Sequence, residues 1–129
     1  MGACYSVNIK VNVVDIKGAV DALNHHIAQD SRTSYNLEKY ANIGVTTTNF
    51  DDLMRILLAE IQGPVFIHHN GKFMIYDNCF NASYGWESVM MEWFDVLAPF
   101  LADGSQMLIY PDEDYDKLVI KNGKCVQIH

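Results

Sequence analysis

The sequence has few cationic residues and no long hydrophobic run. Its 129 residues contain nine lysines and arginines against sixteen carboxylates, which gives a formal net charge of −7. Proteins that bind nucleic acid directly need clustered cations that displace phosphate counterions, so this function is disfavoured. No apolar stretch reaches the ~18 residues of a membrane-spanning helix, and the alternating N-terminus has no solid apolar block of the secretory type. We expect a cytoplasmic protein without membrane contact.

Cysteine is scarce as well. Cys4, Cys79 and Cys125 are odd in number and widely spaced, and no Cys-x-x-Cys pair is present. This pattern disfavours a disulfide framework and a structural zinc site. It predicts three reduced thiols in or near a hydrophobic core.

Catalytic and cofactor motifs are missing. There is no phosphate-binding glycine loop, nucleophile elbow or His-Glu-x-x-His metal motif. Neighbouring histidines in a helix, such as His25 and His26, diverge by ~100°, and a metal site there would need a ligand from another segment. We therefore assign no catalytic residue, no metal ligand and no cofactor. Whether the chain is an enzyme stays open, although the missing motifs favour a non-enzymatic role.

The apolar content predicts one folded domain over residues 1–129. Half of the residues are hydrophobic and 12% are aromatic, which is enough apolar surface for one core in a chain of this length. Residues 5–14 alternate apolar and polar, as in a strand with one buried face. Asp15 is a candidate N-cap for a first helix that ends before Asp30.

The remaining elements follow from local start and stop signals. A second helix is predicted to begin near Thr48 or Asn49 and to stop at Gly63-Pro64, and a third to be capped by Ser83 and weakened near its end by Pro99. Asn-Gly turns predict two hairpins, one after residue 69 and one after residue 121. The order β-α-α-β-β-α-β-β-β predicts an α+β fold, with three helices on one face of a mainly antiparallel sheet of about five to six strands.

One contiguous interval carries the negative charge. No lysine or arginine lies between Lys72 and Lys117, and this interval contains nine acids. They are Asp77, Glu87, Glu92, Asp95, Asp103, Asp112, Glu113, Asp114 and Asp116. An acidic surface can serve solubility alone, but most protein surfaces mix charges of both signs. If these acids share one face, they would attract a basic protein surface.

The sequence therefore predicts a non-enzymatic, acidic protein-binding module. The predicted binding face combines the third helix with the following acidic loop, and its residues are Glu87, Met91, Glu92, Asp95, Asp112, Glu113, Asp114, Tyr115 and Asp116. Its partner would be basic, such as a nucleic-acid-binding protein, and the module would inhibit that partner by mimicking nucleic-acid charge. Small counter-defence proteins of phages and mobile elements have this general character.

The sequence leaves two alternative functions open. Alternate carboxylates in the Asp112–Asp116 loop could converge on a hard cation, which would make the chain a metal-binding domain or a metal-dependent enzyme. Exposed sheet edges could instead pair between chains in a structural oligomerisation domain.

Overall fold

A six-stranded antiparallel sheet forms the frame of the computed structural model, and helices cover one of its faces. The model describes residues 2–30, 42, 44, 46–58, 66–70, 72–83, 85–111 and 116–128. The strands are β1 (Gly2–Val11), β2 (Phe66–Asn70), β3 (Phe73–Ser83), β4 (Gln106–Pro111), β5 (Asp116–Lys121) and β6 (Lys124–Ile128). The described α-helices are α1 (Ile16–Gln29), α2 (Phe50–Leu57) and α3 (Trp86–Leu97). The predicted α+β class and element order are confirmed.

The first strand lies at the centre of the sheet, whose order is β2-β3-β1-β4-β5-β6. β1 pairs antiparallel with β3 on one side and with β4 on the other. Tyr5, Val7, Ile9 and Val11 are buried, whereas Ser6 between them is exposed. The predicted alternation is therefore correct, and it determines which face of the sheet the helices cover.

The first helix begins and ends where the sequence indicates. The side chain of Asp15 accepts a hydrogen bond from the backbone N–H of Gly18, which satisfies a donor of the first turn. The helix ends at Gln29, and Asp30 is its C-cap. No described helix combines the length and the apolar character needed to cross a membrane.

The second helix begins as predicted but is shorter than expected. Asn49 is its N-cap and accepts hydrogen bonds from the backbone N–H groups of Asp51 and Asp52. The helix ends at Leu57, well before Gly63-Pro64, which lies outside the described residues. The side-chain amide of Asn78 donates to the carbonyl oxygen of Leu58 at 2.7 Å. A β3 side chain thus satisfies a carbonyl at the helix end, which the sequence of the helix could not indicate.

Ser83 does not cap the third helix. It belongs to β3 and lies opposite Gly2 of β1, because the pairing of these two strands continues to the beginning of β1. The N-cap is Gly85, which has a φ of +86° and makes no side-chain cap hydrogen bond. Only glycine adopts such a left-handed conformation readily. The predicted effect of Pro99 is confirmed, since α3 stops at Leu97 and a 3₁₀ turn follows over Ala98–Phe100.

Tyr76 connects the sheet to the second helix. Its ring is fully buried on β3, and its hydroxyl donates a hydrogen bond to Oδ1 of Asp51 at 2.6 Å. Burial, followed by the hydrogen bond and the charge of Asp51, raises the pKa of Tyr76 well above its ordinary value of 10. The neutral hydroxyl is therefore part of the folded state.

We predict that Tyr76→Phe lowers the free energy of unfolding by about 1 to 2 kcal/mol at neutral pH, because Asp51 loses its hydrogen-bond donor. The raised pKa adds stability that is complete below pH ~10, the ordinary tyrosine pKa, and is lost as the pH rises above it. The variant should therefore lose less stability than the wild type at alkaline pH. Urea unfolding across this pH range measures both effects. A double-mutant cycle with Asp51→Ala is the control; strictly additive losses would contradict the assigned hydrogen bond between the two side chains.

Candidate functional site

The predicted binding residues of the third helix lie in two different environments. Glu92 and Asp95 are exposed on the outer side of α3. Met91 is half-buried and packs against the hydrophobic core, and Glu87 is also half-buried. The exposed part of the predicted site on this helix therefore consists of Glu92 and Asp95.

Glu87 interacts with the central strand. Its carboxylate hydrogen-bonds to the hydroxyl of Tyr5, and its Oε2 atom is buried with no hydrogen-bond partner among the described residues. Burial, followed by this hydrogen bond, raises the pKa of Tyr5. The same hydroxyl accepts a hydrogen bond from the backbone N–H of Trp86 at 3.2 Å. Glu87 thus fixes the start of α3 to β1.

The acidic loop of the predicted site lies outside the described residues. Asp112, Glu113, Asp114 and Tyr115 are not described, and Asp116 is described only as the first backbone position of β5. The contribution of this loop to a binding face and the alternative of a cation site within it remain predictions.

The acids of the cation-free interval do not all share one face. Asp77 on β3 lies opposite Asn8, whose side-chain amide donates to it, on the face that the described helices leave uncovered. Asp103 lies beyond α3 and accepts a hydrogen bond from the backbone N–H of Asn122. The condition that all acids of the interval share one face is therefore not met by these two residues, which were not among the predicted binding residues. The alternation of side chains along β3 separates Asp77 from Glu92 and Asp95, and the turn beyond α3 separates Asp103 from them.

Charge is nevertheless unevenly distributed between the two sides of the sheet. Most described carboxylates belong to the helices or their caps: Asp15, Asp21, Asp30, Asp51, Asp52, Glu87, Glu92 and Asp95. The described lysines of the sheet lie on the uncovered face: Lys10, Lys117 and Lys121 alternate with buried residues, and Lys124 lies opposite Lys121. The helical side thus has an excess of carboxylates over its described cations, Lys17 and Arg55, and the sheet face has an excess of lysines over Asp77.

The acidic helix surface, as we define it, consists of Asp30, Glu92 and Asp95. Asp30 was not among the predicted site residues, and it comes to this surface because α1 packs against α3. Its side chain is 11% exposed and lies beside His26, whose side chain is 19% exposed. The distance from Nε2 of His26 to Oδ2 of Asp30 is 3.7 Å.

His26, Asp30 and Glu92 bring three potential ligand atoms together. One nitrogen or oxygen atom from each residue lies within 4.8 Å of the other two. Among the described residues, this is the group of histidine, cysteine and acidic side chains with that property. A His-x-x-x-Asp spacing at residues 26–30 could have indicated two of the three residues of the cluster, since positions i and i+4 share a helix face. Glu92 had no comparable signal.

The thiols form a second unexpected cluster. Cys4 on β1 and Cys79 on β3 are exposed, not buried in the core, and their Sγ atoms are 3.3 Å apart. The hydrogen bond to Cys4, followed by burial and the charge of Cys4, raises the pKa of Cys79. Cys125 is half-buried, and burial, followed by the charge of Asp95, raises its pKa to about 11. The predicted core location thus fails for Cys4 and Cys79.

Comparison with known proteins adds no functional information. The chain matches no known family model, no curated protein and no solved structure. The proposals below therefore depend on the arrangement of its own residues.

We predict that the three thiols of the native protein react at two different rates with a chromogenic aromatic disulfide. Cys4 and Cys79 should react in a fast phase because they are exposed, and Cys125 more slowly because it is half-buried with a raised pKa. Stopped-flow absorbance measures the phases. Cys125→Ser should leave the fast phase unchanged, and Cys4→Ser should reduce its amplitude. Three equal rates would contradict the assigned exposures.

Proposed function

We propose that the chain is a non-enzymatic, cytoplasmic module that binds a basic protein surface through the acidic helix surface. The observation that supports this proposal best is the uneven distribution of charge, with an excess of carboxylates on the helical side and an excess of lysines on the uncovered sheet face. A surface with an excess of one sign of charge produces a net field, whereas evenly interspersed charges cancel at short distance. That field would attract a cationic partner to the helical side.

The placement of the two acids on α3 supports a binding role more than a stabilising one. Glu92 and Asp95 are exposed, so their ionised groups incur little desolvation cost in the free protein. Glu87, Asp51 and Asp15 accept hydrogen bonds within the fold. The exposure of Glu92 and Asp95 makes them suitable for testing the function, and thermal unfolding of the variant checks that the fold is retained.

The proposed partner is a protein that itself binds nucleic acid. Carboxylates on a rigid helix resemble backbone phosphates in charge, and a groove that binds phosphates through lysine and arginine would also bind them. The module would then act as an inhibitor that competes with nucleic acid, as in the counter-defence proteins of phages and mobile elements. The net charge of −7 supports the electrostatic part of this proposal.

The test starts from a basic protein captured from lysate of the native host and then purified. We predict that Glu92→Gln combined with Asp95→Asn weakens binding to it by about tenfold or more, equivalent to about 1.4 kcal/mol, through loss of electrostatic attraction. The affinity of the variant should also fall less with rising salt concentration than that of the wild type, because fewer charges are screened. Calorimetry at ionic strengths of about 0.01 M and 0.15 M, where screening differs strongly, measures both quantities.

The control has the same change of charge outside the acidic helix surface. It combines Asp21→Asn with Asp103→Asn, and both residues are exposed. An equal loss of affinity in this control would show that only net charge matters and would contradict the proposed surface. Unchanged affinity in the Glu92 and Asp95 variant would contradict it as well. Failure of duplex DNA to compete for the partner would exclude the mimicry but not the binding.

A further inference from the structure

We propose that His26, Asp30 and Glu92 bind one divalent transition-metal ion between α1 and α3. This site shares Asp30 and Glu92 with the acidic helix surface, but metal binding requires the nitrogen of His26 and no partner protein, so the two proposals can fail separately. It also differs from the cation site considered for the Asp112–Asp116 loop, which lies outside the described residues.

Two of the ligands come from the end of one helix. His26 lies in the last turn of α1, and Asp30 is its C-cap, with the backbone N–H of Asp30 donating to the carbonyl oxygen of His26 at 3.1 Å. Side chains four positions apart lie on the same side of a helix, as the two histidines of helical zinc motifs do. The negative end of the helix dipole also favours a cation at this position.

The distances suit a small metal ion. Zinc binds histidine nitrogen and carboxylate oxygen at about 2.0–2.2 Å, so tetrahedral ligand atoms lie roughly 3.3–3.6 Å apart. Nε2 of His26 and Oδ2 of Asp30 are 3.7 Å apart, close to that separation. The three ligand atoms all lie within 4.8 Å of one another. Because Glu92 is exposed, a change of its side-chain rotamer can adjust the position of its carboxylate to the metal ion.

The environment of the His26 side-chain nitrogen also supports a metal site. Nε2 of His26 is buried and makes no hydrogen bond to any residue that the structure describes, and 3.7 Å from Asp30 is too long for one. Buried polar atoms nearly always have a partner, and an unpaired one calls for a water molecule or an ion. A metal ion bound at this nitrogen would satisfy it.

The ligand set indicates the class of metal. One imidazole nitrogen and two carboxylate oxygens suit zinc and its neighbours manganese and cobalt, whereas calcium and magnesium prefer sites made of oxygen alone. Three protein ligands leave a fourth position open, as in catalytic zinc sites; structural sites have four protein ligands. The fourth position here would hold water or an incoming ligand.

The experiment uses the untagged full chain, stripped with a chelator and then titrated with Zn²⁺, Mn²⁺ or Co²⁺. At a metal concentration about 100 times Kd, binding should raise Tm by roughly 10 °C. Calorimetry should give one ion per chain. His26→Gln and Glu92→Gln should each abolish the shift. The matched controls are His25→Gln, on the same helix, and Asp95→Asn, on α3, and both should retain the full shift.

Three outcomes would overturn the proposal. No change of Tm with any of the three ions would indicate that a water molecule satisfies His26. Retention of the shift in Glu92→Gln would exclude the three-residue site, and this exposed substitution tests the proposal even if His26→Gln does not fold. Strong near-ultraviolet absorption of the Co²⁺ form would place the ion at the thiols.

Discussion

The pairing of β1 with β3 and β4 is the constraint on which the rest of the structure depends. It begins at Gly2 opposite Ser83 and continues to Val11 opposite Met74, so β3 must be as long as β1. The alternation of β1 then assigns one face of the sheet to the apolar core and the other to polar side chains. Because α1, α2 and α3 all join the same core, the second face is left to lysines, Asp77 and two thiols.

Features that depend on a few neighbouring residues could be predicted from the sequence. The cap at Asp15, the start of the second helix near Thr48 or Asn49 and the Asn122-Gly123 turn, with its positive φ angles, were correctly predicted. Each is determined by one side chain or one glycine acting on its own backbone. The extent of β3 could not be predicted this way, because the pairing that extends it as far as Ser83 comes from a strand about 80 positions earlier. Cys4 and Cys79 meet for the same reason.

Only some of the acids in the cation-free interval lie on a common surface of the folded protein. Along α3 the helical period turns Glu92 and Asp95 outward but brings Glu87 back to Tyr5. On β3 the two-residue period puts Asp77 on the uncovered face, opposite Asn8. A stretch of sequence without lysine or arginine therefore shows only that its acids lack cationic neighbours along the chain. Whether these acids share a surface depends on the 3.6-residue period of helices and the two-residue period of strands. Asp30 belongs to the acidic helix surface because α1 packs on α3, and no local sequence pattern indicates this packing.

The two proposals have the same physical origin. Asp30 and Glu92 present carboxylate oxygens within 4.8 Å of each other. A cation between them would interact with both carboxylates, and His26 beside Asp30 gives this position a nitrogen ligand as well. Asp95, which is not part of the triad, retains its charge for a protein partner. A metal ion in the triad would therefore reduce the attraction of the acidic helix surface for a basic protein, so occupancy of one site should weaken the other.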